Sequence, residues 1–584
     1  MHRSLIGLVL LLGCSGGARP VPAMVPDPAA VLPVVHVPAP RNVPIDSVLG
    51  TLTVRQKIGQ LVMPWLLGDY SALDGRSLAT AFAWIDSLEI GGILISIGAP
   101  MDVAAKLNAL QERSRLPLLV AADLEFGTGM RLVGGTSFPA PMAFGATGRP
   151  LDAYQLGRVT ALEARAAGIH MTFSPVADLN NNPANPIINT RAFGEDPAAA
   201  SPLIAAYVRG AAEHGMFTTA KHFPGHGDVS TDSHIELPVV TGCWPRLDSL
   251  ELAPFRAAIA AGVTAVMTAH LALPCVDGPN PAPATLSGRV MTDILRDSLG
   301  FEGLVVTDAL VMGAIVAAYG PGESVVRAFE AGSDLLLYPS DLKMAIDAME
   351  AAIASGRIAM TRLDQSVRRV LALKAEAGLF HQRTVSLDAV PRVVGRAAHQ
   401  AVADDIAARA LTLVEQGPLD TFRGRRGRVA VVSYAEETNL TMGNTLVRLL
   451  REQGDTVAVF RLYPMSGPAS YDSARVMLRG YPRAVFASSV RPIAWRGHVA
   501  LPEPLVALIR TTAVDRPTAL VSFGSPYLLA QLPGFPGTYL IAWNGSSAAE
   551  RAAAMALAGA APISGRLPIS LDAAHPRGTG VQIP

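Results

Sequence analysis

The chain is poor in charge: 16% of its 584 residues are Asp, Glu, Lys or Arg, with Lys+Arg and Asp+Glu balanced at 48 each and a formal net charge of zero. No long basic run is present to displace counterions from a phosphate backbone, which argues against nucleic acid as a partner. Low charge does not signify disorder here, because 50% of the residues are hydrophobic, enough for large cores. Glycine and proline number 53 and 45, about one residue in six, short of the roughly 25–30% of low-complexity chains. No short internal repeat of the solenoid kind is found. Aromatic residues, at 6%, single out neither a core nor a sugar-stacking surface. A folded, soluble chain remains, long enough for two substantial domains of which one has barrel size.

Long apolar runs are also missing. Residues 5–12 are apolar but fall well short of the about 20 residues a helix needs to cross a bilayer, and no later segment supplies a span. Preceded by Arg3 and closed by Leu11, Leu12, Gly13 and Cys14, this stretch reads as a secretion signal over residues 1–14. Its Leu-Leu-Gly-Cys end resembles the lipobox of bacterial lipoproteins. That resemblance implies cleavage before Cys14, lipidation of its thiol and, with Ser15 following, an outer-membrane anchor facing the periplasm or the exterior. An ordinary signal with a chance cysteine is the alternative. Membrane contact is then expected through the lipid anchor only. Residues 15–44, rich in Pro, Ala and Val, suit an extended tether. Cysteine is scarce as well: beyond Cys14 only Cys243 and Cys275 occur. An oxidising compartment permits a disulfide between them, and two free thiols fit the sequence equally.

Over residues 45–380, short apolar runs alternate with helical stretches. The runs are 58–63, 92–96, 116–123, 170–178, 217–223, 265–271, 304–308 and 334–338. Near-continuous apolar runs are the mark of buried parallel strands, and eight of them separated by helices predict a (β/α)8 TIM-like barrel, with a doubly wound sheet as the competing architecture. Polar residues favour the barrel. Asp123, Asp178, Lys221 with His222, His270 and Asp308 each stand at the C-terminal end of a run, and in a barrel those ends converge on one mouth. Residues 381–410 read as a linker and an alanine-rich helix. From 411 to 584 a second αβ series follows, with runs at 428–433, 456–461, 484–489, 519–523 and 539–542 and helices at 445–453 and 548–558, which predicts an αβα sandwich.

The densest chemistry lies in residues 221–234, KHFPGHGDVSTDSH, which hold Lys221, His222, His226, Asp228, Asp232 and His234. Pro224, Gly225 and Gly227 disfavour a helix, so this is a loop leaving a strand. A metal site is one reading, since His222 and His226 have an i, i+4 spacing, but the proline and glycines between them work against a helical pair. Hydrogen bonding that merely stitches the loop together is a second reading, and the better one for His226, Asp228 or Ser233 singly. The third is acid/base catalysis by Asp232 and His234. Two residues apart, the carboxylate can accept from one imidazole nitrogen while the other serves a substrate, which fixes the tautomer and stabilises the imidazolium.

At this loop the sequence resembles the bacterial β-N-acetylglucosaminidases of glycoside hydrolase family 3, over most of the mature chain. The resemblance implies His234 as general acid/base, with Asp232 as its partner in an Asp-x-His dyad. A retaining glycosidase also needs a nucleophile. The run GLVVTDALVM ends at Asp308, matching the family's strand-terminal Ser/Thr-Asp and implying Asp308 as that nucleophile; an N-cap for the next helix is its plainer reading. Asp123 and Arg131 lie in AADLEFGTGMRL, similar to the family's Asp-x-Glu-Gly-Gly segment, with departures at Phe126 and Gly129. Arg191 lies in NTRAFGEDP, similar to its Arg-x-Phe-Gly segment. The resemblance implies that Asp123, Arg131, Arg191, Lys221 and His222 bind the terminal sugar; a surface or salt-bridge role is the plainer reading of Arg131 and Arg191. Asp178 and His270 stand where supporting residues would, without an assigned role. The segment from residue 394 onward, including ISGRLPIS, resembles the family's C-terminal sandwich domain.

What these features imply is an exo-acting enzyme that removes β-linked N-acetylglucosamine from a carbohydrate substrate, peptidoglycan fragments or chitin oligosaccharides, by double displacement. No metal and no organic cofactor is implied. A phosphorylase using the same residues is a rival, because a neutral imidazole repels phosphate less than a carboxylate does. A non-catalytic wall-binding lipoprotein is another.

Overall fold

The computed structural model describes residues 43–72 and 74–584. The expected signal, Cys14 and the tether up to residue 42 lie outside the described residues. Among the described residues, no helix is long and apolar enough to cross a membrane.

The first predicted run is divided in the structure. Thr53 accepts from the Gln56 backbone N–H while the Gln56 side chain accepts from the Thr53 N–H, a capping box that starts a helix over Val54–Gly59 and takes Ile58 into it. Two short strands follow, β1 (Val62–Met63) and β2 (Trp65–Leu66), parted by Pro64, which has no N–H to give a ladder. Then come β3 (Gly92–Ile95), β4 (Leu119–Ala122), β5 (Met171–Thr172), β6 (Phe217–Phe223), β7 (Ala265–Thr268), β8 (Leu304–Val306) and β9 (Leu336–Leu337). Strands β2 to β8 form one parallel sheet in chain order, and β1 pairs in parallel with β9. The ring is completed where Leu335 donates its N–H to the Val305 carbonyl and Thr307 donates to the Leu335 carbonyl. A closed parallel barrel results, and the doubly wound alternative is set aside. Several strands are much shorter than their apolar runs: 170–178 contributes only Met171–Thr172, the rest turning into loop above the barrel.

Successive barrel residues bury against different neighbours, as the strand period of two requires. Leu94, Leu119 and Ala121 join one apolar cluster, whereas Ile93, Ile95, Val120 and Ala122 join another that includes Leu107 and Leu110 of the helix Pro100–Arg113. With both faces covered, the strands carry no polar alternation, which is why they read as continuous apolar runs.

The C-terminal sheet comprises β10 (Thr412–Glu415), β11 (Arg428–Tyr434), β12 (Thr456–Leu462), β13 (Arg483–Ser488), β14 (Thr518–Ser522) and β15 (Thr538–Ile541), in the order β10-β15-β14-β13-β11-β12. All neighbours are parallel except β10 and β15. Val431, Val485 and Val521 pack with helices Ala397–Ala410, Asn444–Glu452 and Ser547–Leu557, while Val432, Phe486 and Leu520 pack with Pro468–Arg479 and Glu503–Asp515. This is an αβα sandwich, with an antiparallel edge strand that the sequence reading did not assign.

The sandwich and the barrel share their cores. Phe138 and Phe144 of the barrel region bury in the cluster that holds Val431, and Met142, Ile187 and Ile188 in the one that holds Phe486. Glu195 accepts from Ser570 N–H (2.9 Å) and Oγ (2.8 Å), tying the closing ISGRLPIS segment to the barrel. At Gly145 the same segment approaches so closely that an added Cβ would stand 2.7 Å from Pro568 Cβ. The C-terminal sheet is therefore held against the mouth of the barrel by a continuous apolar seam rather than by a flexible linker.

Candidate active site

Every parallel strand of a barrel delivers its C-terminal end to the same rim. Asp123 follows β4, Asp178 lies in the loop beyond β5, Lys221 and His222 belong to the end of β6, His270 follows β7 and Asp308 follows β8. The cavity there has a volume of about 740 Å³, and its walls include Asp123, Arg131, Arg191, Lys221, His222, His234 and Asp308. The far wall comes from the C-terminal domain: Asn439, Ser489, Arg491, Trp495, Trp543 and Asn544.

One side of the cavity is a chain of ion pairs. Lys221 Nζ lies 2.9 Å from both Asp123 Oδ1 and Glu125 Oε1. Arg191 grips Glu125 in bidentate fashion at 2.7 and 2.9 Å, and Arg131 donates to Asp123 Oδ2 at 3.1 Å. Burial opposes ionisation of Asp123 and Glu125, but the adjacent cations outweigh it and hold both carboxyls below the usual range. Glu125 is the residue the sequence reading passed over. Its signal was present, an acid two places after Asp123, and its job is to pair with Arg191 and to share Lys221 with Asp123, so that neither buried cation is left undercompensated. Arg131 and Arg191 thus do make ion pairs, yet both pairs line the cavity.

The loop carrying Asp123 and Arg131 is braced from behind by buried Glu163. This carboxylate accepts from Thr136 N–H (2.9 Å), Thr136 Oγ1 (2.6 Å), Gly395 N–H (3.0 Å) and Thr128 Oγ1, and pairs with His399 Nδ1 at 2.7 Å. Burial works against its charge and these donors more than offset it, so its pKa lies below the ordinary value. Gly129, one departure from the resembled segment, has a direct reason: a Cβ there would stand 2.0 Å from Ser137 Oγ. Phe126, the other departure, lines the cavity.

Asp178 is completely enclosed and organises the end of β6. It accepts from His222 Nδ1 at 2.6 Å, from the His222 N–H at 3.1 Å and from the His226 N–H at 2.7 Å. With Nδ1–H donated to Asp178, His222 presents Nε2 as acceptor toward Arg191, 3.4 Å away. Neither ring nitrogen of His226 has a hydrogen-bond partner among the described residues, and burial pushes its pKa down to about 4, so it is neutral near pH 7. Asp228 pairs with Arg246 at 2.8 Å. Among the described residues, no three His, Cys, Asp or Glu side chains converge in a way that could hold a metal ion, so the geometry gives the metal reading of this loop no support.

The dyad expected from the sequence is assembled. His234 Nδ1 lies 2.8 Å from Asp232 Oδ1, which also accepts the His234 backbone N–H at 2.9 Å. Asp232 is 2% exposed, whereas the His234 ring reaches into the cavity. Cys243 and Cys275 are joined in a disulfide with Cα atoms 5.3 Å apart, linking the chain beyond this loop to the segment after β7.

Asp308 follows β8 without capping a helix. The next helix, Gly313–Ala331, has Met312 at its N-cap, and Asp308 Oδ1 instead accepts the neighbouring Ala309 N–H at 2.7 Å. Burial raises its pKa, but the fields of His222 and His270 and that hydrogen bond prevail, leaving it at about 2. His270 spans Thr285 Oγ1 (2.8 Å) and the Ala309 carbonyl (3.1 Å), and so fixes the turn on which Asp308 sits. The cavity therefore contains an ionised carboxylate, an imidazole oriented by a buried carboxylate and a cluster of fixed charges, a set chemically able to supply a nucleophile, a proton donor and partners for hydroxyl and amide groups.

Residues 53–373 match the family profile described as Glycosyl hydrolase family 3 N terminal domain. The chain is 32% identical over 503 residues to a protein of Cellulomonas fimi named β-N-acetylglucosaminidase/β-glucosidase, covering 82% of this chain and 88% of that one. It is 32% identical over 384 residues to β-hexosaminidase LpqI of Mycobacterium tuberculosis, covering 62% of this chain and 94% of that one. Among solved structures, a family 3 β-N-acetylglucosaminidase from a Paenibacillus species superposes with a TM-score of 0.81 at 34% identity, over 89% of this chain and 99% of that one. The β-glucoside phosphorylase BglX superposes with a TM-score of 0.80 at 26% identity, over 90% and 96%.

Proposed function

This chain belongs to glycosyl hydrolase family 3, and from that premise we propose that it is an exo-acting, retaining β-N-acetylglucosaminidase with Asp308 as nucleophile and the Asp232–His234 pair as acid and base. It is a glycoside hydrolase, and the names of its relatives support hydrolysis of terminal β-linked N-acetylglucosamine. The single observation that carries the catalytic reading is the meeting of Asp308 and His234 on one cavity, beside the ion pairs of Lys221 with Asp123 and Glu125. In the first step Asp308 attacks the anomeric carbon while His234 gives the proton on Nε2 to the leaving oxygen; in the second, Nε2 takes a proton from the water that releases the sugar. Asp232 accepts the Nδ1 proton's hydrogen bond throughout and stabilises the imidazolium. These two steps, as proposed, call on no metal or organic cofactor.

Release of phenol from aryl β-N-acetylglucosaminide, run beside the aryl β-glucoside, tests the sugar preference. Equal or faster turnover of the glucoside would overturn it. Phosphorolysis is the second reading, favoured by the likeness to a β-glucoside phosphorylase and by an imidazole acid that repels phosphate little. Product analysis in phosphate buffer decides: free N-acetylglucosamine supports hydrolysis, and accumulation of the sugar 1-phosphate replaces it.

For the leaving side, peptidoglycan fragments are the substrate we favour over chitin. Arg491 lines the cavity, and among the described residues it is the one lysine or arginine of that lining without a hydrogen bond or ion pair, which suits an aglycone bearing a carboxylate. Arg491→Ala is expected to lower kcat/KM roughly 10-fold on a disaccharide with a carboxylate on its reducing sugar, and to leave the uncharged disaccharide nearly unaffected. Equal losses on both would remove the argument. The exported, lipid-anchored location rests on Arg3, the apolar run and Cys14 alone. Cys14→Ser is expected to abolish labelling by radioactive fatty acid; labelling that persists would count against the anchor.

A further inference from the structure

The C-terminal domain touches the acid/base pair at one place. Asp232 uses Oδ1 for His234, and its other oxygen, Oδ2, accepts the backbone N–H of Trp495 at 2.9 Å, its sole partner among the described residues. Trp495 adopts a left-handed backbone conformation, φ +73°, that L side chains seldom take, and this bend turns its N–H toward the barrel. The Trp495 ring stands edge-on to the His234 ring, centroids 5.3 Å apart and planes at 61°. On either side the loop is fastened. Arg496 pairs with Glu436 of its own domain at 2.7 Å, and Gly497 lies against Ile235, where an added Cβ would be 3.6 Å from Cδ1. The opposite side of the histidine's backbone abuts Gly313, at the start of the helix beyond β8, where a Cβ would be 2.9 Å from the His234 carbonyl oxygen.

We propose that Trp495 is a positioning residue for the Asp232–His234 pair, so that the C-terminal domain completes the acid/base group. The inference rests on the acid/base reading above and assigns the second domain a part in it. A buried carboxylate with one oxygen unpaired is unfavourable and can exchange its two oxygens by rotation. The Trp495 N–H holds Oδ2, which keeps Oδ1 in the plane of the imidazole and Nε2 aimed at the leaving oxygen. The indole, 5.3 Å away and steeply inclined to the imidazole, limits the swing of the ring. Among the described residues the barrel supplies donors to Oδ1 only and none to Oδ2, so the loop 489–497 does for this enzyme what a rigid strand end does for Asp308.

The test is a leaving-group series of aryl β-N-acetylglucosaminides measured with the full chain, Trp495→Ala, Trp495→Phe and His234→Ala. Trp495→Ala keeps the backbone N–H but removes the indole that seats this loop against the His234 ring, so a positioning role predicts a loss of roughly 10- to 100-fold in kcat/KM on phenols that need protonation, less than the about 10²- to 10⁴-fold of an absent acid, and little on dinitrophenyl substrate. Its basic pH limb also moves, while Trp495→Phe, which keeps a ring, recovers most activity. A uniform loss across the series, a rise in KM alone, or no change would overturn the proposal. The His234→Ala arm separates the two readings. If that variant shows the leaving-group dependence and Trp495→Ala does not, only the positioning role fails; if neither shows it, the acid/base assignment fails first.

Discussion

Asp308→Ala is expected to lower kcat/KM on an aryl β-N-acetylglucosaminide by roughly 10⁴- to 10⁶-fold, the scale of removing a covalent nucleophile. The charges expected to bind the sugar do not depend on Asp308: Asp123, Glu125, Arg131, Arg191 and Lys221 pair among themselves. The variant is therefore expected to keep its affinity for N-acetylglucosamine while losing turnover. Azide supplied with a dinitrophenyl substrate would occupy the vacated space and yield the α-glycosyl azide, a product of attack from the nucleophile's side. A residual rate within tenfold of the parent, or azide on the β face, would dismiss Asp308 as nucleophile. The pH dependence offers a further check. With a pKa of about 2, Asp308 stays ionised through the whole mildly acid range, so a fall in kcat/KM between about pH 4 and 6 belongs to another group. Because this value lies below that of an unfolded aspartate, about 3.9, its ionisation favours the folded state above about pH 4, a contribution lost as pH falls through about 2.

His234→Ala is the second large effect, and its size depends on the substrate. On sugar leaving groups and unactivated phenols the loss is expected at about 10²- to 10⁴-fold, because the departing oxygen must be protonated. On dinitrophenyl substrate bond cleavage needs no proton, so the first step is nearly unimpaired and the glycosyl-enzyme accumulates. Azide then attacks that intermediate and gives the β-glycosyl azide. Asp232→Asn is expected to follow the same pattern more mildly, since the amide still fills the site but no longer stabilises an imidazolium. Equal losses on good and poor leaving groups would show that His234 binds substrate rather than transferring protons. Opposite azide stereochemistry in the Asp308 and His234 variants is a result that no purely structural role for either residue produces.

The reach of the primary structure differs between the two sides of the site. Asp123, Lys221, His222 and Asp308 follow apolar runs, and a parallel strand buried on both faces has no choice but to be an apolar run. Their convergence was therefore readable once eight such runs were counted. The first strand was misplaced because the capping box at Thr53 and Gln56 outweighs the apolar character of Ile58, and Pro64 divides what remains. Glu125 was overlooked because an acid flanked by apolar residues has no visible partner until Arg191 is folded against it from 66 positions away. The N-cap alternative for Asp308 could be dismissed only by seeing the next helix start at Gly313.

By itself the amino-acid sequence determined the alternation of strand and helix, the rim on which the ionisable groups stand and the local Asp-x-His pair, since each depends on spacing within a few residues. Tertiary structure alone decided the joining of Cys243 to Cys275, the cation partners of Glu125 and the meeting of Asp232 with Trp495, 263 positions along the chain. Local spacing carries no information about such pairs. They form because burial of two apolar seams brings the C-terminal sheet over the barrel mouth, and polar groups trapped there must find one another.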